Sequence, residues 1–419
     1  MNNSERGLES FAELDLMLLD SPGTELMGPV YVSFAELADN PEKKGQKKVP
    51  EHESYESEDE DEESEVTEKQ EGDDHTDDII EFNVEDPHGQ GQWTLYGPDT
   101  LTIAACLSGS GEKLPKNKSG ECSQIYFYKG VVRKDKKINP HRQKLMDSQM
   151  ETDAATLDRL RQAQAQYSVR LLGVCRQEGA VTGVLLEQAE GSLRDLLRKR
   201  QIDPDAIVDL FFQLVSGLIE MKQNGDLVHG DIKDGNVLYF LNEAGKPYVK
   251  LTDFGHADTA GKRQHMFNPL YSPPESLYYR YFTKSHAADI YNVGLLIWQM
   301  LGNRLPFHPV DPRLAGTRLP GKPVEAAMKH YASKLFIRHS GKAPYLLHHF
   351  FLRGKISSGA KELGVENMRH QITERYLGLN PEQLLYWLLD WVTQSQLENR
   401  PTVEQLHEIL RNWLDSHVR

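Results

Sequence analysis

The chain has 419 residues, 38% of them hydrophobic and 26% charged, with a formal net charge of −15 and three cysteines. That length builds one large or two ordinary domains plus tails without staples, and widely spaced Cys106, Cys122 and Cys175 fit neither a disulfide framework nor a zinc ligand set, which points to a reducing, cytoplasmic compartment. No apolar run reaches bilayer length and the start MNNSERGLES has no basic region ahead of an apolar stretch, so neither a membrane span nor a Sec-type signal is expected.

The charge is uneven. Between Glu51 and His88 nineteen acidic residues face one lysine, Lys69, a local charge of −18 that leaves the rest of the chain slightly basic. Ahead of it, Ser10-Phe11-Ala12-Glu13-Leu14 recurs as Ser33-Phe34-Ala35-Glu36-Leu37. Each copy has the Ser-x-x-Glu spacing of a capping box, so 10–19 and 33–37 are read as short helical pieces able to dock on a partner or on the chain's own body. The acidic stretch 51–86 cannot bury enough apolar surface to repay its ordering entropy, and 1–88 as a whole is read as disordered.

Order is expected from about residue 92. Trp93 to Tyr96 and Thr100 to Leu107 read as strands around the turn Gly97-Pro98-Asp99, and Ser123 to Arg133 as a third strand whose alternating bulky residues flank Lys129. Gln143 to Gln166 is rich in helix formers. Val169 to Cys175 and Val181 to Leu186 read as two more strands, and Pro204 to Gly225 carries Ile207, Leu210, Phe211, Leu214 and Leu218 at helical spacing. Two amphipathic helices, Pro381 to Thr393 and Thr402 to His417, bracket Arg400. Residues 308–378 are long and basic, without a specific reading. His348 and His349 within them are adjacent and cannot share a helix face as metal ligands do.

The stretch Leu227 to Gly255 joins two polar clusters through a hairpin. Val237 to Leu241 and Tyr248 to Thr252 are β-rich runs, and Asn242 to Pro247 is turn chemistry. His229, Asp231, Lys233 and Asn236 therefore lie beside Asp253 at one end of a two-stranded ribbon. Carboxylates, an amide and a cation so grouped suit phosphoryl transfer, where a protein supplies positioning and charge neutralisation.

In wording, His229-Gly230-Asp231-Ile232-Lys233 with Asn236 resembles the catalytic loop of eukaryotic-type protein kinases, and Asp253-Phe254-Gly255 resembles their DFG motif. The segment Asn268-Pro269-Leu270-Tyr271-Ser272-Pro273-Pro274-Glu275 is similar to the end of a kinase activation segment, and Asp289-Ile290-Tyr291-Asn292-Val293-Gly294 to the start of the helix that supports the catalytic loop. The resemblance implies a bilobal α+β fold over 92–419, with a β-rich N-lobe at about 92–187 and a mainly helical C-lobe at about 190–419. It implies ATP and Mg²⁺ as cofactors and protein serine or threonine hydroxyls as acceptors, with no nucleic-acid partner; the oligomeric state is left open. Action in the cytosol covers both a housekeeping enzyme and an effector delivered into a host cell.

By that resemblance Asp231 orients and deprotonates the acceptor, Lys233 neutralises the migrating phosphoryl, and Asn236 and Asp253 hold Mg²⁺. Lys129 takes the place of the strand lysine that grips the phosphates. Its helix partner is Glu151, with Asp153 as the shorter competitor that fits the spacing to Leu157 and Leu160 better. The loop over ATP is set at Gly97 rather than at Gly109-Ser110-Gly111. Leu186 limits the adenine pocket, and the backbone of Glu187 and Ala189 meets adenine. Arg400 is expected to pair with Glu275.

Two departures matter. The G-x-G-x-x-G pattern is absent, and Gly230 replaces the arginine that receives an activation-segment phosphate, so activity independent of phosphorylation between Asp253 and Glu275, at Thr259 or Ser272 for instance, is expected. Two alternatives stand beside the kinase: a pseudokinase scaffold that uses the acidic tail to bind partners, and a small-molecule kinase of the aminoglycoside-phosphotransferase type, which shares His-Gly-Asp but lacks the Glu275 and Arg400 pair.

Overall fold

The computed structural model describes residues 81–86, 91–107, 112–113, 123–199, 201–264, 271, 273–278, 282–302, 343–366 and 374–417. All belong to one compact unit, residues 74–419. The two Ser-Phe-Ala-Glu-Leu repeats, the acidic stretch before Glu81, Gly109-Ser110-Gly111, Asn268, Ser272 and residues 308–342 lie outside the described residues.

The first lobe is built on a seven-stranded sheet. In chain order it contains β1 (Glu81–Glu85), β2 (Gln92–Tyr96), helix α1 (Thr100–Leu107), β3 (Glu112–Lys113), β4 (Ser123–Tyr128), β5 (Val131–Lys136), helix α2 (Gln143–Gln162), β6 (Leu171–Gln177) and β7 (Ala180–Glu187). The spatial order is β1-β2-β6-β7-β5-β4-β3, every pairing antiparallel. Strand alternation sends side chains to opposite faces. Val184 and Leu186 join the large core shared with α2, while Leu185 between them joins Trp93, Leu95, Ile103 and Leu107 in a second cluster.

Three expectations change here. The sheet starts at Glu81, inside the segment read as acidic tail, because Val84 packs against the second cluster and Asp86 is needed by a buried cation. That cation is Arg133, 3% exposed, which binds Asp86 at 2.9 Å and Asp135 at 2.8 Å and lies 5.0 Å from the Trp93 ring. Thr100–Leu107 is a helix rather than a strand: the Ile103 amide donates to the Asp99 carbonyl, and Thr100, Ile103 and Leu107 are buried at helical spacing. The run from Ser123 to Arg133 is a hairpin rather than one strand, turning at Lys129-Gly130 with Gly130 at φ +80°.

The chain crosses to the second lobe through the short β8 (Gly191–Ser192) and α3 (Leu193–Lys199). There follow α4 (Pro204–Gln223), β9 (Leu227–Val228), the hairpin β10 (Val237–Leu241) and β11 (Pro247–Leu251), β12 (Asp258–Thr259), β13 (Arg263–Gln264), α5 (Pro274–Tyr278), β14 (Phe282–Thr283), α6 (His286–Gly302), α7 (Ala343–Glu362), α8 (Pro381–Val392) and α9 (Val403–His417). Helix α4 is the central rod, with Ile207, Val208, Phe211 and Val215 fully buried among α6, α8, α9 and β11. Pro204 opens it at a first-turn position, where no amide is required. Part of the unassigned 308–378 region is α7, whose Leu352, Ile356 and Ala360 are buried and whose Arg353 reaches Asp390 on α8 at 3.0 Å. Among the described residues no helix is long and apolar enough to cross a membrane.

Candidate active site

The polar clusters meet where the lobes face one another. Strand β5 presents Lys134, whose Nζ lies 2.7 Å from Asp153 Oδ2 on α2 and 2.7 Å from Asp253 Oδ1 just after β11. The other Asp153 oxygen accepts from the Phe254 amide at 2.7 Å, so one buried carboxylate fixes both the lysine and the turn that carries Asp253. Burial opposes charge in this group. The two carboxylates nevertheless keep Lys134 protonated far above its ordinary range, and the Lys134 ammonium holds Asp253 well below the usual carboxylate range.

Asp253 has left-handed backbone, φ +65°, a region that aspartate visits more readily than most residues. Phe254 behind it is fully buried against the His229 ring, with centroids 5.1 Å apart. Next to it the Gln149 amide of α2 meets His256 Nε2 at 3.0 Å. Burial pushes the His256 imidazole below its ordinary pKa, partly opposed by the Asp231 and Asp253 charges, so the ring is neutral and accepts this hydrogen bond.

The catalytic-loop segment hangs between β9 and β10. The amides of His229 and Gly230 donate to the two oxygens of Asp289 on α6 at 2.7 and 3.0 Å. Burial pushes Asp289 upward in pKa while these amides and the nearby His229 favour its charged form. His229 Nε2 lies 3.1 Å from the Thr252 carbonyl and the Asp231 amide donates to Nδ1 at 3.4 Å, which assigns the Nε2–H tautomer. Lys233 contacts the Asp231 carboxylate directly. The Asn236 side-chain nitrogen donates to the Asp231 carbonyl at 2.9 Å and to its carboxylate at 3.0 Å, which turns the amide oxygen away from Asp231.

Asp231, Lys233, Asn236 and Asp253 are thus assembled as the spacing implied, whereas three assignments in the first lobe are corrected. Lys129 is not the lysine of this site: it sits exposed in the β4–β5 turn, and Lys134, on the strand beyond the turn, reaches the carboxylates. Glu151 is not the helix partner. Two residues on a helix are separated by about 200° of rotation, and Glu151 Oε1 instead accepts from the Val181 amide at 2.6 Å while Asp153 meets Lys134. Gly97 follows β2, which β6, β7 and β5 separate from β4 in the sheet, and it lines a cavity of about 730 Å³ with Lys129, Ile103, Arg161 and Arg170. The strands flanking a loop in the expected place are β3 and β4, and residues 114–122 between them lie outside the described residues.

The connection between the lobes runs from β7 to β8. Leu186 is buried on β7, Glu187 ends that strand, and Ala189 follows before β8. Glu187 is pinned by Lys250 at 2.6 Å and by the Arg170 amide at 2.7 Å. A further support carries no sequence signal: Asp234, fully buried, accepts from Arg194 of α3 at 2.6 Å and from Gln299 of α6 at 3.0 Å, tying both helices to the catalytic loop. Arg400 and Glu275 form a bidentate pair with both contacts at 2.7 Å and the guanidinium side chain fully buried.

The chain is similar in sequence to known protein kinases. Serine/threonine-protein kinase ULK3 of Xenopus laevis is 30% identical over 129 residues, 28% of this chain and 25% of that protein. Serine/threonine-protein kinase hippo of Drosophila melanogaster is 27% identical over 213 residues, 49% of this chain and 31% of that protein. The probable serine/threonine-protein kinase gdt8 of Dictyostelium discoideum is 29% identical over 147 residues, 34% of this chain and 11% of that protein. The chain therefore matches less than a third of the length of these relatives. A family model described as protein kinase domain matches residues 118–410, and with that match spanning most of its length the chain belongs to the protein kinase domain family.

Proposed function

We propose that this protein transfers the γ-phosphate of ATP to serine and threonine hydroxyls of protein substrates. The observation that carries this is the three-way junction of Lys134, Asp153 and Asp253, set beside Asp231, Lys233 and Asn236. A scaffold that had lost catalysis would have no need to hold a charged lysine between two carboxylates at the cost of desolvation.

Asp231 is the acceptor-facing carboxylate that orients the hydroxyl and takes its proton. Lys233 beside it balances charge developing on the transferred group. Lys134 is the cation that holds the nucleotide phosphates, positioned by Asp153. The donor set also fits Mg²⁺, which takes few protein oxygens and shares its shell with phosphate: Asp253 and the Asn236 amide oxygen would hold it. Among the described residues no cluster of three His, Cys, Asp or Glu is ready to bind a metal alone, in keeping with an ion that arrives with its nucleotide. When bound, such an ion neutralises phosphate charge.

The pairing of Lys233 with Asp231 supports serine and threonine specificity, the kinase type that places lysine two residues after the catalytic aspartate. Gly230 in place of arginine supports activity without phosphorylation of the activation segment. The buried Arg400–Glu275 pair favours a protein kinase over a small-molecule phosphotransferase. The test is to treat the purified chain with phosphatase, remove the phosphatase, supply ATP, Mg²⁺ and a generic acceptor protein, and analyse the phosphoamino acids formed. Phosphoserine and phosphothreonine are expected. Phosphotyrosine alone, or labelling that needs prior phosphorylation of Thr259 or Ser272, contradicts the reading.

A further inference from the structure

Gly230 stands where the resembled catalytic-loop motif has the phosphate-receiving arginine, yet the start of the activation segment is held firmly. Residues 256–262 are fixed from two sides. On one side β12 pairs with β9, with Asp258 opposite Val228, two residues before Gly230. On the other, the Gly261 amide donates to the Lys284 carbonyl and the Lys284 amide to the Lys262 carbonyl, both at 2.9 Å, continuing into the β13–β14 pairing.

Lys284 adds its side chain to the same clamp. It is 8% exposed, its Nζ donates to the His256 carbonyl at 2.6 Å, and Asp258 Oδ2 lies 3.8 Å away. An ammonium group is expensive to bury, and one that is retained needs partners. Burial lowers the Lys284 pKa, and Asp258 and Asp289 oppose that fall. Asp289 is the same carboxylate that fixes the amides of His229 and Gly230. One cation therefore touches the residue after Asp-Phe-Gly, faces the first strand of the activation segment, and lies in the field of the carboxylate that supports the catalytic loop.

We propose that Lys284 is a positioning residue that replaces the phosphate-and-arginine contact, a permanent internal cation holding residues 256–262 against the catalytic loop. This deepens the phosphorylation-independent reading above and rests on it. In the family's regulated members an added phosphate draws this segment to arginine. Here the charge comes from the segment's own return strand, so no modification is needed.

The test uses the full-length chain, phosphatase-treated, as wild type, Lys284→Met and Lys284→Arg. Methionine keeps the apolar length of lysine but leaves the His256 carbonyl without its donor, so some loss of stability is expected, and turnover and exchange are compared below the melting temperature of each variant. Lys284→Met should lose about tenfold or more in kcat with KM for ATP within about twofold, the signature of a misplaced catalytic segment rather than lost binding. Lys284→Arg should restore turnover to within about threefold of wild type, since a guanidinium can donate to the same carbonyl. Amide hydrogen exchange over residues 257–262 should speed up in the methionine variant and return in the arginine variant. Unchanged exchange in Lys284→Met, or unchanged turnover, would overturn the proposal. Exchange needs no phosphate transfer, so if the wild type proves inactive the kinase reading fails while the exchange comparison still decides the anchor.

Discussion

Lys134 and Asp153 show how much one hairpin turn decides. Lys-Gly between two alternating runs is a turn signal, and reading through it as a single strand moves the lysine from an interior position to the exposed turn. The helix partner was legible in a different way. Asp153 shares a face with Leu157 and Leu160, four and seven residues on, and all three are buried; side-chain length favoured Glu151, and helical phase overruled it. On this account Lys134→Met lowers kcat/KM by about 100-fold or more, as loss of a charge-stabilising donor does, whereas Lys129→Met stays within about twofold of wild type. Steady-state kinetics on both variants separates the two assignments.

His256 sets a second residue-scale expectation. Its folded pKa is lowered, first by burial, so the folded state favours the neutral ring more than the unfolded state does. The contribution to stability is then fully present above the unfolded value of about 6.5 and is lost as pH falls through the lowered folded value. Denaturant melts from pH 7 to pH 5 should show a shallower loss of stability for His256→Gln, which accepts from Gln149 without titrating, than for wild type. Parallel slopes would contradict it.

At the scale of elements, the hairpin β1–β2 and helix α1 precede the stretch matched by the family model, which starts at residue 118, yet they complete the first lobe. Arg133 explains why: it is buried one residue before Lys134, and Asp86 at the end of β1 supplies half of its pairing. The resemblance pointed to order only from about residue 92, because the acidic composition around Glu81 masks the Phe82 and Val84 alternation. Helix α1 is ambiguous in sequence because the run TLTIAACL is apolar enough for either period, and length alone does not arbitrate. Removing Asp86 leaves a buried guanidinium short of a carboxylate, so Asp86→Ala should destabilise the protein by about 3 kcal/mol, the lower end for breaking a buried pair because Asp135 remains. Chemical denaturation measures it, and a change below about 1 kcal/mol, the size of a surface substitution, would show the hairpin to be an accessory.

Across the whole molecule the second lobe was the more legible half. Its helices carry strong 3.6-residue periodicity around α4, and its motifs fix their partners: Glu275 and Arg400, 125 residues apart, meet as the resemblance implied. The Asp234–Arg194–Gln299 link was illegible because three polar residues far apart in sequence, with no periodicity between them, converge only when α3, the catalytic loop and α6 pack together. Glu275→Ala should cost about 3–5 kcal/mol by stranding buried Arg400, and a second change, Arg400→Leu, should recover part of that loss. Additive losses in the double-mutant cycle would show that the two side chains do not act as a pair.

Asp231, where the lobes converge, is proposed as the group that deprotonates a hydroxyl. The most direct measurement is incorporation of radiolabelled phosphate from ATP into an acceptor protein by the wild type and by Asp231→Asn, at matched melting temperature. Labelled serine and threonine are expected from the wild type, with a loss of about 100-fold or more in the variant, within the usual range for removing a general base. Equal labelling by the two proteins would contradict it.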